Sequence, residues 1–307
     1  TAPQAATRDM FLNAEGKPDP DKSRNSALAI GVPGTVAGLA LALEKYGSGK
    51  FTLAQILKPA IDLARDGFIV TDDTSDTLSD MYRRMSRWPN SARAFSHADG
   101  TPLHEGDRLI QGDLAGVLTA IAEQGPRGFY EGAVAEKLVS GIKNAGGIFT
   151  LADLKSYQPV IRAPIRGSYR GHDIVSMPQP SSGGVVLLEI LNILEGFPMS
   201  DMKQGSAASL HVMIEAMKRA YADRARYLGD PAFVDAPTQL LVDKDYAARQ
   251  RATIDLARAT PWTDVRNAKQ PHEGDNTTHY SVVDASGNAV SNTYTLNFPD
   301  RKSVVSG

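Results

Sequence analysis

Residues 277–298 read TTHYSVVDASGNAVSNTYTLNF, and this stretch decides the fold class. Polar and apolar residues alternate in each half of it, which is typical of β-strands. Between the halves lies Asp284-Ala285-Ser286-Gly287-Asn288, a run of residues that favour a tight turn. The stretch therefore predicts a β-hairpin whose first strand begins at a threonine, Thr277.

Upstream of this hairpin, helical patterns dominate. An apolar stripe at helical spacing runs through residues 32–47 and ends at Gly47. Residues 52–67 predict a second amphipathic helix that begins at a Thr52 cap, ends at Gly67 and is kinked by Pro59. Further helical patterns cover residues 76–94, 113–124, 132–145 and 206–228.

A second hairpin interrupts the helices. Residues 164–178 alternate in polarity around Tyr169-Arg170-Gly171, and a helix opened by Pro180-Ser181-Ser182-Gly183-Gly184 follows. Because helices come first and a β-hairpin comes last, the predicted fold class is α+β. Residues 215–227 mix charged and apolar residues at helical spacing, which favours a packed helix with a solvated face.

Composition narrows the possible functions. The chain has 307 residues and a formal net charge of −2, and its Lys and Arg are interleaved with acidic residues, which argues against nucleic-acid binding. It contains no Cys, and its six His form no pair at metal-ligand spacing, so neither thiolate chemistry nor metal catalysis is predicted. No apolar run reaches the roughly 20 residues that span a bilayer.

Thr277 is a candidate nucleophile. A threonine hydroxyl is a weak nucleophile that needs a nearby base. If the chain were cut after Asn276, the new α-amino group of Thr277, with an ordinary pKa of about 7.7–8.0, could accept the hydroxyl proton. Spacing alone favours a plainer interpretation, in which Thr277 and Thr278 form a polar entry into an edge strand.

Two other candidates have plainer interpretations as well. Ser181 and Ser182 precede an apolar helix and could cradle a phosphate or act as nucleophiles, but no nucleophile-elbow or phosphate-loop motif surrounds them. Ser182 is therefore predicted to cap the helix with its side chain. His279 has no evident partner and is interpreted as a structural ring.

An ordered set of segments favours Thr277 as a nucleophile over its plainer interpretation as a polar entry into an edge strand. TTHYSVVD (277–284), GNAV (287–290) and TYTLN (293–297) closely resemble the start of the small subunit of bacterial γ-glutamyltranspeptidases. Upstream segments of this chain resemble segments of the family's large subunit, in the same order as in that family. They are ATRDMFL (6–12), VPGTVAG (32–38), LARDGF (63–68), GGIFTLADLKSY (146–157), MPQPSSGG (177–184), LNILEGF (191–197) and AYADRARYLGDP (220–231).

The resemblance implies an αββα sandwich of the N-terminal-nucleophile hydrolase type and specific roles for four residues. Asn276–Thr277 would be the bond cut by self-processing, and Thr277 the nucleophile. Thr295 would assist it, and Asn297 would help to hold the α-amino end of a γ-glutamyl group. Thr295 and Asn297 are two positions apart, so they share one face of a strand.

The resemblance also sets boundaries and partners. Residues 1–276 would belong to the large subunit and 277–298 to the small subunit, with the two forming a heterodimer after cleavage, while 299–307 would be an atypical and foreign tail. The substrates would be glutathione and other γ-glutamyl amides, no metal or organic cofactor would be needed, and the location would be periplasmic or secreted.

Parts of the family's site are expected to be missing from these 307 residues. An arginine that pairs with the substrate carboxylate would precede Thr1, and the oxyanion-hole residues would follow in the rest of the small subunit. The chain alone is therefore expected to be inactive. Two alternatives remain: a cephalosporin (glutaryl) acylase-like amidase, and an unprocessed, inactive homologue.

Overall fold

The computed structural model describes residues 1–261, 264–265 and 278–294, and helices hold far more of these residues than strands do. The helices are α1 (Pro20–Arg24), α2 (Thr35–Tyr46), α3 (Leu53–Asp66), α4 (Asp72–Met85), α5 (Pro89–Ala94), α6 (Gly112–Gln124), α7 (Arg127–Tyr130), α8 (Gly132–Asn144), α9 (Leu151–Ser156), α10 (Gly183–Leu194), α11 (Ala207–Tyr227), α12 (Thr238–Leu241) and α13 (Lys244–Arg251). The strands are β1 (Phe68–Ile69), β2 (Arg108–Leu109), β3 (Ile165–Tyr169), β4 (His172–Ser176), β5 (Thr278–Val283) and β6 (Ala289–Tyr294).

These elements form two compact units. Of the described residues, unit 1 holds 1–160 and 278–294, and unit 2 holds 161–261 and 264–265. Among the described residues, each antiparallel sheet has two strands, β1–β2 and β5–β6 in unit 1 and β3–β4 in unit 2. None of the helices in the described ranges combines the length and the apolar character needed to cross a bilayer.

Local signals place most helix ends where the sequence predicts them. Thr52 Oγ1 accepts a hydrogen bond from the Gln55 backbone N–H at 3.2 Å, and the Gln55 side chain accepts one from the Thr52 backbone N–H at 2.9 Å. This reciprocal capping box begins α3 because it satisfies two N–H groups that lack helical partners. Gly67 ends the helix at φ +77°, a conformation that side chains disfavour.

The single helix predicted over residues 76–94 is wrong, since the structure contains two helices there. The helix α4 ends at Met85, and α5 begins at Pro89 after an extended Trp88. Proline has no N–H to donate to the preceding turn, and its ring disfavours a helical conformation at the residue before it. Pro89 is therefore tolerated as the first residue of a new helix but not inside a continuous one.

Unit 1 is held by two apolar clusters. The first surrounds Tyr130, whose hydroxyl donates to the Pro33 carbonyl at 2.8 Å and whose ring stacks on Tyr157 with centroids 5.8 Å apart. Its buried members are Val32, Tyr130, Ala135, Ile142, Phe149 and Leu154. The second cluster packs α4 against the β1–β2 region through Val70, Leu78, Met85, Leu103 and Leu109.

Unit 2 is built around α10, which is buried along most of its length and packs against α11, α13 and the β3–β4 hairpin. The hairpin prediction for residues 164–178 is confirmed. Its turn uses Arg170 and Gly171 at φ +51° and +81°, the conformation that tight hairpins require. The apolar core of the unit contains Ile165, Val185, Leu188, Leu241, Ile193, Leu194, Val212 and Ala216.

The helix α11 buries several of its charged side chains and exposes several of its apolar ones. Its charged side chains Glu215, Arg219 and Asp223 are buried, whereas Leu210, Met213, Ile214 and Met217 are between 41% and 51% exposed. The predicted packed helix with a solvated face is confirmed, but these three charged side chains lie on its packed side. They pack against α13 and the residues that follow it, where the backbone carbonyls of Gln250 and Thr253 accept hydrogen bonds from Arg219.

A buried ion pair between Glu215 and Arg219 stabilises this contact of α11. Glu215 Oε2 accepts from Arg219 Nη1 at 2.8 Å, while Glu215 Oε1 accepts from Lys218 Nζ at 2.8 Å and from the Thr260 N–H at 3.0 Å. Arg219 also donates to Thr253 Oγ1 at 2.8 Å and to the Thr253 carbonyl at 2.9 Å. Because each charge has several partners, the cost of burying the pair is offset within the network.

This network predicts acid sensitivity of unit 2. Burial raises the pKa of Glu215, but hydrogen bonds from Lys218, Thr260 and Arg219 outweigh it and lower the pKa from 4.5 to about 2. A depressed carboxyl pKa stabilises the fold above pH 4.5, and this stabilisation is lost as the pH falls toward 2. We expect the free energy of unfolding to fall between pH 5 and 3, with a full contribution of at most about 3 kcal/mol.

Urea unfolding measured across this pH range checks the prediction. The Glu215→Gln variant should show a smaller pH dependence than the parent chain, together with a lower overall stability because Arg219 stays buried without its anion. The exposed Glu136 supplies the control, since Glu136→Gln should retain the full pH dependence. An equal pH dependence of the free energy of unfolding in the two variants would show that Glu215 does not cause the acid sensitivity.

Gly183 and Gly184, at the start of α10, offer a matched pair for testing packing. A Cβ at Gly184 would overlap the Met177 carbonyl oxygen and would lie 2.6 Å from Ile165 Cγ2. A Cβ at Gly183 would meet nothing closer than Ser181 Oγ at 3.4 Å. The second glycine of the pair is thus required by close backbone approach, and the first is not.

We expect Gly184→Ala to destabilise the chain by about 1–3 kcal/mol, as overpacking does. Gly183→Ala should be neutral or stabilising by up to about 1 kcal/mol, because alanine restricts the unfolded chain. The midpoints of urea unfolding measure both effects. Equal midpoints for the two variants would contradict the packing described here.

Candidate active site

The four site residues predicted from the sequence, Asn276, Thr277, Thr295 and Asn297, lie outside the described residues. The described strands adjoin them directly, since β5 begins at Thr278 and β6 ends at Tyr294. The structure therefore defines the strand pair next to the predicted site, and the roles of the four residues stay predictions.

The predicted hairpin is confirmed with a defined register. Thr278 pairs with Tyr294, His279 with Thr293 and Ser281 with Ser291. Its turn is closed by Asp284, whose Oδ1 accepts from the backbone N–H groups of Ser286 and Asn288 at 2.9 Å. Hydrogen bonds from the Asn288 side chain and backbone lower the pKa of Asp284, so the carboxylate remains ionised and holds the turn.

One face of the hairpin is polar and internally hydrogen-bonded. His279 Nδ1 lies 2.8 Å from Thr293 Oγ1, and His279 Nε2 lies 3.2 Å from both Ser281 Oγ and Ser291 Oγ. The prediction that His279 lacks a partner is wrong. Two of its three partners, Thr293 and Ser291, come from the opposite strand, so they lie far from His279 in sequence.

The other face of the hairpin is largely apolar. Tyr280, Val282 and Val290 are 47%, 56% and 57% exposed, and Asn292 donates to the Tyr280 hydroxyl at 2.9 Å. Two-stranded hairpins gain little stability from their own hydrogen bonds and need a packed apolar face. This face therefore has the composition of a buried sheet surface while being exposed among the described residues.

Ser182 does not act as the sequence predicts. It occupies the N-cap position of α10 but makes no side-chain capping bond, and its Oγ accepts from Arg224 Nε at 2.7 Å. The reason is local, because Ser182 has helical dihedrals of −77° and −17°, whereas a capping side chain requires an extended backbone. Ser181 Oγ accepts from the Gly183 N–H at 3.3 Å. Both serines thus have structural partners.

One group of described side chains has the chemistry of a metal-binding site. His97, His104 and Asp107 lie together in unit 1, in the loop between α5 and β2, with one potential ligand atom from each within 4.8 Å of the others. The sequence does not reveal this group, because its histidines do not stand at regular metal-ligand spacing. A folded loop, rather than a helix, brings these three residues together.

Comparison with known proteins identifies a family to which the chain is similar. Residues 1–303 match the family model described as Gamma-glutamyltranspeptidase. The chain is 48% identical to the glutathione hydrolase proenzyme of Escherichia coli (strain K12), over 100% of the chain and 53% of that protein. It is 42% identical to the Acylase ACY 1 proenzyme of Pseudomonas sp. (strain V22), over 97% of the chain and 53% of that protein.

A solved structure supports the fold. The crystal structure of Helicobacter pylori gamma-glutamyltranspeptidase matches with a TM-score of 0.84 and 41% identity, covering 90% of this chain and 79% of that chain. This likeness confirms the predicted fold class, the N-terminal-nucleophile hydrolase sandwich. The chain spans about half the length of the curated relatives it matches, as predicted for a large subunit with the first strands of a small one.

The register of β5 and β6 can be tested by cross-linking, because the chain contains no cysteine. The double substitution Ser281→Cys/Ser291→Cys should form a disulfide under mild oxidation. Directly opposed residues in antiparallel strands have Cα atoms about 4.5–5.5 Å apart, within disulfide range. Peptide mass spectrometry without reductant detects the bond.

The control pairs Ser281→Cys with Asn292→Cys. Asn292 lies opposite Tyr280, so its side chain points to the other face and no efficient cross-link is expected. Preferential cross-linking of the control pair would show that the register is shifted by one residue.

Proposed function

This chain belongs to the gamma-glutamyltranspeptidase family, and we propose that the full-length protein is a γ-glutamyltransferase and glutathione hydrolase with Thr277 as its nucleophile. The observation that carries the proposal is the family match over residues 1–303, which includes the hairpin strand that starts beside Thr277. The proposed donors are glutathione and other γ-glutamyl amides. Acceptors are water, amino acids or peptides.

The proposed reaction begins with self-processing. The Thr277 hydroxyl attacks the Asn276 carbonyl, the acyl group moves from nitrogen to oxygen, and water then hydrolyses the ester. Cleavage leaves Thr277 with a free α-amino group at the start of a strand. The word proenzyme in the names of two relatives supports a processing step. The resulting large and small subunits would remain together as a heterodimer.

Catalysis would reuse the same oxygen. The Thr277 hydroxyl attacks the γ-carbonyl of the donor while its own α-amino group, directly or through a water, accepts the proton. The amine product leaves with that proton, and a γ-glutamyl ester on Thr277 remains. An acceptor amine or water then attacks this ester and restores the hydroxyl. The chain's own groups supply nucleophile and base, so no cofactor is invoked.

The register of the hairpin supports a role for Thr295. Thr278 pairs with Tyr294, so the next pair in the same register would be residues 277 and 295. Directly opposed residues in antiparallel strands share a face. We propose that the Thr295 hydroxyl hydrogen-bonds to the Thr277 oxygen during attack. Asn297 would share that face and bind the α-amino end of the γ-glutamyl group through its side-chain oxygen.

One alternative substrate class has specific support. The 42% identity to a protein named as an acylase proenzyme supports an amidase that uses the same mechanism. A glutaryl amide is the substrate proposed for this alternative. A glutaryl group lacks the α-amino group that Asn297 is proposed to bind. The other alternative, an inactive homologue, would remain a single uncut chain. A periplasmic or secreted location is proposed from the family likeness.

Substitution of Thr277 in the full-length protein tests the mechanism. We expect Thr277→Ala to remain a single uncut chain and to lose γ-glutamyl anilide turnover by at least about a thousandfold, because both steps lose their nucleophile. Thr277→Ser keeps the hydroxyl and should still be cut. Thr295→Ala should slow turnover by about 10- to 100-fold, the effect of one hydrogen bond to a charged group.

Denaturing gels, N-terminal sequencing of the short subunit and anilide assays measure these outcomes. A short subunit that begins at a residue other than Thr277, or full activity in Thr277→Ala, would refute the mechanism. Comparison of γ-glutamyl with glutaryl anilides separates the two substrate classes. Faster glutaryl turnover would favour the acylase alternative while leaving the role of Thr277 intact.

A further inference from the structure

The loop between α5 and β2 has a backbone ordered by its own hydrogen bonds. The His97 N–H donates to the Thr101 carbonyl at 2.8 Å, and the Gly100 N–H donates to the His97 carbonyl at 2.9 Å. The Asp107 N–H donates to the His104 carbonyl at 3.1 Å. Two tight turns therefore fix the backbone at each of the three potential ligands, His97, His104 and Asp107.

This loop is also anchored to the core of unit 1. Leu103, next to His104, is 7% exposed and belongs to the apolar cluster around Val70. On the other side of the ligand group, the Val70 N–H donates to the Asp107 carbonyl at 2.8 Å, and Val70 accepts from the Gly106 N–H at 3.0 Å. Movement of the ligand-bearing backbone would break these contacts, so the group is preorganised.

The side chains of this group converge. His97 Nε2 lies 2.9 Å from Asp107 Oδ2, and potential ligand atoms from all three residues lie within 4.8 Å of one another. Ligands of a tetrahedral Zn²⁺ ion, bound at about 2.0–2.1 Å, are separated by roughly 3.3 Å. Rotation of the exposed His104 side chain would shorten the distances between its potential ligand atom and those of the other two residues to about this separation. The backbone needs no rearrangement.

From this geometry we propose that His97, His104 and Asp107 form a binding site for a divalent transition-metal ion such as Zn²⁺. Two imidazoles and one carboxylate form a donor set that suits zinc and its neighbours, whereas Mg²⁺ and Ca²⁺ favour oxygen ligands alone. Three protein ligands leave a further position for water. The site is partly exposed to solvent, so the ion would exchange with the medium.

One further hydrogen bond orients the carboxylate ligand. The His104 backbone N–H donates to Asp107 Oδ2 at 2.7 Å. The carboxylate is thus oriented before any ion arrives. Hydrogen bonds of this kind to a ligand are typical of metal sites, where they set the ligand's direction.

Calorimetric titration of the chelator-treated full chain with Zn²⁺ tests this proposal. We expect saturable binding of one equivalent and no comparable binding of Mg²⁺. His97→Gln and His104→Gln should each weaken zinc binding by at least about tenfold, since loss of even an outer-shell partner costs that much. His172→Gln is the matched control, because His172 is exposed on the β3–β4 hairpin and should not affect affinity.

Mapping of histidine modification in the unsubstituted chain gives a second readout. Zn²⁺ should protect His97 and His104, but not His172, from acylation by diethyl pyrocarbonate, as measured by peptide mass spectrometry. Both histidine variants should keep the thermal midpoint of the parent in the presence of chelator. Absence of zinc binding, undiminished binding in both variants, or equal protection of His172 would overturn the proposal.

Discussion

The antiparallel register of β5 and β6 is the constraint on which the proposed chemistry depends. Side chains alternate between the two faces of a strand, so a shift of one residue would exchange the faces of a whole strand. In the register found here, His279, Ser281, Ser291 and Thr293 form one hydrogen-bonded polar face. The proposed pairing of Thr277 with Thr295 continues this register. The catalytic role proposed for this pair rests on the family to which the chain belongs.

The same hairpin explains why a weak nucleophile is proposed at this position. A strand end held by a paired neighbour limits the directions in which its first side chain can point, and catalysis requires such preorganisation. The Asp284 turn helps to maintain the pairing from the far end of the hairpin. The exposed apolar face of Tyr280, Val282 and Val290 shows that the hairpin's stability depends on further packing.

Unit 2 illustrates how tertiary contacts can override a helical pattern. The charges of Glu215 and Arg219 are interspersed with apolar residues, so periodicity alone assigns them to solvent. In the structure they are buried because Thr253 and Thr260, more than thirty residues away in sequence, supply hydrogen-bond partners. The apolar face with Leu210 and Met213 is correspondingly exposed among the described residues.

Features that depend on neighbouring residues could be predicted from the amino-acid order. These include the capping box of α3, the stop at Gly67, both hairpin turns and the ordered motifs that indicate the family. Pro89 is likewise a local signal, since it marks the break between α4 and α5.

Tertiary structure alone decided the partners of His279, the bond between Ser182 and Arg224, the burial of Glu215 and the grouping of His97 with His104 and Asp107. The physical reason is the range of the forces involved. Caps and turns are stabilised within a few residues, whereas side-chain hydrogen bonds and burial depend on which distant segments the folded backbone brings into contact.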